Sequence, residues 1–242
     1  MKVVAKTHCG KVRPINEDRY LVPEEGDSIV LVADGMGGHK AGEVASETAA
    51  QTIRACAVKM HGREISIKTA LKWVRQANQI IYRMANEKPE CMGMGTTMTL
   101  LWEGERRILI GHVGDSRAYR LRDGKLSQIT QDHSVVGELL RNQVITPEMA
   151  KKHPYRNIIT RAVGIDPVVE VDVLSEDKQL DDLWLVCSDG LYNMVDDKDI
   201  EEILNTLNEE KAADRLLELA LEHGGTDNIT FVLGRVMEVQ GE

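Results

Sequence analysis

The chain has 242 residues, with 30 basic against 39 acidic side chains and a formal net charge of −9. The acids are spread along the chain, which argues against nucleic-acid binding and disfavours an anionic membrane surface. Aromatics make up 4% with a single Phe, so the core must be aliphatic, and the length suits one domain, residues 1–242, with no repeat or linker to divide it.

Short strands are expected at Lys2–Thr7, Arg19–Pro23 and Ser28–Ala33. Two helices follow. Val44, Ala45, Thr48, Ala49, Thr52 and Cys56 recur at the spacing of one helix face, as do Ile67, Ala70, Leu71, Val74, Ala77, Ile81, Met84 and Ala85. Strands return at Thr96–Trp102, Arg107–Val113 and Ser116–Arg122, and Asp123-Gly124 turns the chain into Leu126–Ile129. Residues 134–155 read as helical pieces and loop, with Thr146-Pro147 as a helix start. Strands at Val168–Leu174 and Asp182–Cys187, acid-rich helices at Asp197–Leu207 and Lys211–Glu222, and a last strand at Asn228–Arg235 complete the chain. Strands, a helix pair, strands and another helix pair predict an α+β fold, two mainly antiparallel sheets flanked by helices.

Cys9, Cys56, Cys91 and Cys187 lack metal-ligand or redox spacing, and no apolar stretch reaches membrane-spanning length. These features lead us to expect a cytoplasmic monomer without membrane insertion. Met84, Met92, Met94 and Met98 are expected to fill gaps in the core.

Four aspartates stand beside apolar runs. Ile29–Ala33 ends in Asp34-Gly35, Leu183–Ser188 ends in Asp189-Gly190, Ile108–Ile110 leads to Asp115, and Asp227 opens Ile229–Leu233. Each Asp-Gly taken alone is a common turn dipeptide. Four such acids at the ends of doubly buried strands would repel one another unless a cation sat between them. An oxygen-rich donor set without clustered Cys or His selects Mg²⁺ or Mn²⁺. The glycine-dense run 34–42 contains His39, a candidate proton donor, and lacks the ending of a nucleotide-binding loop. Arg13 precedes Glu17 and Asp18; it is either a local salt-bridge partner or a clamp for a phosphate. Gln131-Asp132-His133-Ser134 reads most simply as a helix cap.

Taken in order, these pieces resemble the metal-dependent protein phosphatase family, the protein phosphatase 2C type, in its short bacterial form. The match comprises Arg13 with Asn16-Glu17-Asp18, the run 34–39, Gly95-Thr96-Thr97, Gly114-Asp115-Ser116-Arg117, the run 131–134, Thr160–Gly164, Ser188-Asp189-Gly190 and Gly225–Asn228. The resemblance implies a four-layer α-β-β-α sandwich with two Mn²⁺ or Mg²⁺ ions at one end and a third, weaker ion beside them. Asp34 would bridge the two ions, with the Gly35 carbonyl on one of them. Asp189 and Asp227 would hold the second ion, Glu17 would act through a water, and Asp18 would support the same site. Asp115 with Asp189 would hold the third. Arg13 would clamp phosphate. Met36 stands where eukaryotic members carry His, so His39 or a metal-bound water would supply the leaving-group proton. Residues 137–157 would form a flap beside the site.

The implied activity is hydrolysis of phosphoserine and phosphothreonine in proteins by a water activated between two ions, opposing a bacterial Ser/Thr kinase. The alternative is a pseudophosphatase, a binding or sensing module on the same fold. Its signature would be a lost acid, and Asp34, Asp115, Asp189 and Asp227 are all present.

Overall fold

The protein is described here from a computed structural model, over residues 1–24, 28–37, 41–60 and 64–237. In chain order the elements are β1 (Lys2–His8), β2 (Asp18–Leu21), β3 (Ile29–Met36), α1 (Ala41–Ala57), α2 (Ile67–Glu87), β4 (Gly95–Thr96), β5 (Met98–Glu103), β6 (Arg107–Val113), β7 (Arg117–Arg122) and β8 (Lys125–Gln128). They continue with α3 (Val135–Arg141), α4 (Pro147–Lys151), β9 (Asp172–Asp177), β10 (Leu183–Cys187), α5 (Asp189–Tyr192), α6 (Asp197–Thr206), α7 (Glu209–Glu222) and β11 (Ile229–Arg235). One sheet runs β1-β11-β10-β7-β8 and the other β2-β3-β5-β6-β9, with β4 paired to β3. Every described pairing is antiparallel.

The apolar runs are continuous because each central strand packs on both faces. Ile29, Leu31 and Ala33 of β3 face α1 and α2, while Val30 and Val32 meet Trp184, Val186 and Val232 between the sheets. In β10, Leu185 and Cys187 face the layer of α6 and α7, and Trp184 and Val186 face inward. Three apolar layers separate four layers of structure, the expected α-β-β-α sandwich.

The two long helices are set by their apolar faces and caps. Ser66 accepts from the Thr69 N–H at 3.2 Å to start α2, and Ala70, Val74, Ala77 and Ile81 face the sheet. Thr146 caps α4 with Pro147 behind it, as the sequence predicts.

Some expectations shift. Asp34-Gly35 is not a turn: β3 runs through it to Met36, with Asp34 opposite Asp18 and Gly35 opposite Thr96. The segment from Val168 pairs later than expected, from Asp172, since Val169 packs under the helices while Val168 is 75% exposed. Apolarity there signals burial rather than strand pairing. Met94 and Met98 fill the core, but Met92 is exposed.

Candidate metal centre

The antiparallel registers bring the acids to one end of the sandwich. In the first sheet Cys187 of β10 stands opposite Arg117 of β7 and Phe231 of β11. Asp115, Asp189 and Asp227, each two to four residues beyond these positions, therefore leave the sheet at the same edge. In the second sheet Asp18 and Asp34 are a direct cross-strand pair. The Ser188 hydroxyl donates to Asp18 Oδ2 at 2.8 Å and ties the sheets together at that end.

Close packing explains the glycines after two of these acids. A Cβ on Gly35 would stand 2.1 Å from the Gly42 carbonyl oxygen, and one on Gly190 would stand 1.9 Å from that of Asn228. Backbone meets backbone at both points, so no side chain fits. The first contact seats Asp34 against the start of α1; the second seats Asp189 against the start of β11.

The acids are electrostatically strained. Burial, and then the charges of Asp18, Asp189, Asp115 and Asp227, push the Asp34 carboxyl well above the usual range. Asp189 is raised in the same way, by burial and then by Asp115, Asp227 and Asp18. Burial and then Asp132 lift Asp115 to about 7. Burial lifts Asp18 to about 6, opposed by the Ser188 hydrogen bond. Glu17 is raised by burial, opposed by Arg13 and by the Gly42 backbone N–H.

These residues fit divalent cations. Like charges held this close favour a cation between them over five free carboxylates. Asp18 is 2% exposed, and its Oδ1 has no hydrogen-bond partner among the described residues. Among those residues no three His, Cys, Asp or Glu side chains converge on one ligand point. Ions here would complete their shells with carbonyl oxygen and water, which suits the reluctantly dehydrated Mg²⁺.

Arg13 does not pair with the acids next to it in sequence. Its guanidinium donates to Asp227 Oδ2 at 2.7 Å, and that hydrogen bond raises its pKa further. With its side chain 48% exposed, it stands at the rim of the cluster. Among the sequence-predicted residues, Glu17, Asp18, Asp34, Gly35, Asp115, Asp189 and Asp227 thus gather with Arg13 at one edge. His39 lies outside the described residues.

Three further side chains support the acids, Asn228 and Thr97 from the matched motifs and Tyr192 from outside them. Asn228 Nδ2 donates to the Cys9 and Ile15 carbonyls, both at 2.9 Å, and Oδ1 accepts from the Glu17 N–H at 2.8 Å. It closes the loop that carries Arg13 and Glu17. Thr97 Oγ1 accepts from the Asp34 N–H at 2.9 Å and bonds Ser116 Oγ at 2.7 Å, joining the strand of one acid to the neighbour of another. Tyr192 donates to the Asp115 carbonyl at 2.9 Å, with Arg117 stacked 3.7 Å from its ring centre. The signal for Asn228 was its place after Asp227; nothing local marks Tyr192.

The run 131–134 divides its work. Ser134 caps α3, accepting from Gly137 N–H at 3.0 Å. Asp132 instead grips Arg117, at 2.7 Å from Nη2, and His133 Nδ1 accepts from Gly114 N–H at 3.0 Å, steadying the turn before Asp115. The segment 137–157 springs from this point, its root closed by a bridge between Ser134 and Ile159. Its cations are partly engaged, Arg141 with the Asp132 carbonyl at 2.7 Å and Lys151 with Asp196.

The family model described as Protein phosphatase 2C matches residues 7–221. A serine/threonine phosphatase, stp, of Listeria monocytogenes is 42% identical over 237 residues, covering 94% of this chain and 93% of that one. The crystal structure of the Mycobacterium tuberculosis serine/threonine phosphatase PstP/Ppp superposes with a TM-score of 0.90 at 38% identity, over 98% of this chain and 99% of that chain. The catalytic domain of PstP in complex with two manganese ions gives a TM-score of 0.87 at 36% identity, covering 98% of each chain. With this fold, this order of motifs and these relatives, the chain belongs to the protein phosphatase 2C family.

Proposed function

We propose that this protein phosphatase removes phosphate from phosphoserine and phosphothreonine side chains of proteins, with Mn²⁺ or Mg²⁺ as cofactor. The observation that carries the reading is the cluster of Asp18, Asp34, Asp115, Asp189 and Asp227, drawn from both sheets, in which burial and the neighbouring acids raise the pKa of Asp18, Asp34, Asp115 and Asp189. The manganese-bound PstP structure supports the choice of metal.

In this reading Asp34 with the Gly35 carbonyl would hold one ion, and Asp189 and Asp227 would hold a second, with water completing each shell. Glu17 and Asp18 would orient the surrounding waters, and Asp115 with Asp189 would hold a third, weaker ion. Divalent cations held there would supply Lewis acidity for the phosphoryl oxygens and bring the pKa of a water towards neutrality. Arg13 leaves Asp227 to donate to the phosphoryl oxygens, a contact made to substrate and transition state alike. His39 supplies the proton that the serine or threonine alkoxide requires as it leaves. The same reading takes residues 1–242 as one catalytic unit with a flap at 137–157. It works as a cytoplasmic monomer, opposing a Ser/Thr kinase.

The test is phosphothreonine-peptide hydrolysis by metal-stripped protein, with Mn²⁺, Mg²⁺ and Ca²⁺ restored separately, beside Asp34→Asn. Activity with Mn²⁺ or Mg²⁺ that vanishes in the variant is the expected result. A folded, metal-binding protein without activity would be the pseudophosphatase instead.

A further inference from the structure

The turn after Val163 is held more firmly than a surface connection requires. Gly164 stands at φ +94, a left-handed conformation that suits glycine. Its N–H donates to Asn78 Oδ1 at 2.7 Å, and Asn78 Nδ2 donates to the Asp166 carbonyl at 2.9 Å. Asn78 lies on α2 and is 1% exposed, so both bonds are shielded from water. Between the two clamped residues sits Ile165, 44% exposed. A buried amide thus fixes an apolar side chain at the surface.

Ile165 does not stand alone there. A Cβ built on Gly95 would lie 2.8 Å from Ile165 Cδ1 and 3.0 Å from Met36 Cε, so the two side chains meet over this glycine. Gly95 of β4 is the cross-strand partner of Met36. Met36 follows Asp34 by two residues on β3, and so leaves the strand on the same face, about 7 Å farther out. The apolar ledge of Met36 and Ile165 begins where the acid cluster ends.

We propose that this ledge is a substrate subsite, which takes an apolar or aromatic side chain within two residues of the phosphorylated Ser or Thr. The inference rests on Asp34 marking the catalytic centre. Two residues of an extended peptide span about 7 Å, the step from Asp34 to Met36. Neither side chain of the ledge offers a charge or a hydrogen bond. An acidic neighbour in the substrate would instead face the field of the aspartates. Because the turn is clamped beforehand, little ordering entropy is lost when a peptide settles on it.

The experiment compares phosphothreonine peptides that differ only in Leu, Ser or Glu at one or two residues from the phosphoresidue, on either side, with p-nitrophenyl phosphate as a reference too short to reach the ledge. The wild-type protein should favour the Leu peptide over the Ser and Glu peptides by about five- to tenfold in kcat/KM, the low end of what an apolar pocket discriminates. Ile165→Ser and Ile165→Glu should bring the Leu-to-Ser ratio close to one. Equal kcat/KM across the peptides in the wild type overturns the ledge, as does a preference that survives both substitutions. A loss of p-nitrophenyl phosphate turnover matching the loss on peptide also overturns it, since Ile165 would then support the site itself. Wild-type protein that hydrolyses neither peptide nor ester refutes the catalytic reading, and the subsite with it.

Discussion

Asn228→Ala tests whether the loop bearing Arg13 is held in place by one side chain. Asn228 is 5% exposed, and its side chain makes three hydrogen bonds with main-chain groups, to the Cys9 and Ile15 carbonyls and from the Glu17 N–H. At about 1 kcal/mol net for each bond, truncation should cost about 3 kcal/mol. Water reaching the orphaned groups would lower that figure, and groups left dry would raise it. In a domain of this size each kcal/mol lowers Tm by about 2–4 °C, so a fall of about 6–12 °C is expected. The loop carries Arg13 and Glu17, so KM for phosphopeptide should rise even at temperatures where the variant is fully folded. Urea unfolding with steady-state kinetics at 20 °C reads both effects. A loss below 1 kcal/mol together with an unchanged KM would refute the argument that Asn228 orders the loop.

Three further outcomes follow from the same geometry. In metal-free protein the raised carboxyls of Asp115, about 7, and Asp18, about 6, make the native state bind more protons than the unfolded chain between roughly pH 4 and 7. Stability should therefore increase as pH falls through that window and be lost as pH rises through it. Saturating Mn²⁺ should weaken or reverse the trend; urea midpoints with and without the ion check this, and a metal-free protein most stable at pH 8 contradicts it. Gly190→Ala forces a Cβ to within 1.9 Å of the Asn228 carbonyl oxygen and should cost about 3 kcal/mol, at the upper end of overpacking penalties; a Tm within 2 °C of wild type would show that the contact relaxes freely. Arg13→Ala should raise KM by about tenfold or more, the worth of a charged hydrogen bond, with a smaller effect on kcat. A large kcat loss at constant KM would assign Arg13 to the transition state alone.

Much of the architecture was legible in order and spacing. The runs 29–33 and 183–188 are apolar at every position because each strand packs between helices and the opposite sheet, and that pattern appears directly in the chain. The stripe from Ile67 to Ala85 marks α2 for the same reason. Motif order identified the acids, since Asp34, Asp115, Asp189 and Asp227 each sit next to a run whose strand identity was plain. The turn reading of Asp34-Gly35 shows the limit of local reasoning. The dipeptide suits a turn, yet here the glycine admits Gly42 and Glu17 beside a strand that continues.

What only the tertiary structure decided is which groups meet across distance. Arg13 neutralises Asp227, 214 residues away, and not Glu17 four residues on, because β1 and β11 pair and bring the loop after β1 over the start of β11. Asn228, Thr97 and Tyr192 support the acids through hydrogen bonds between separate strands and loops, and Ile165 meets Met36 only because β4 pairs with the end of β3. Hydrophobic periodicity is written into adjacent residues, so the chain itself specified the strands, the helices and the set of acids. Charge pairing and close backbone contact depend on register between strands distant in sequence, and that information exists only once the sheets have formed.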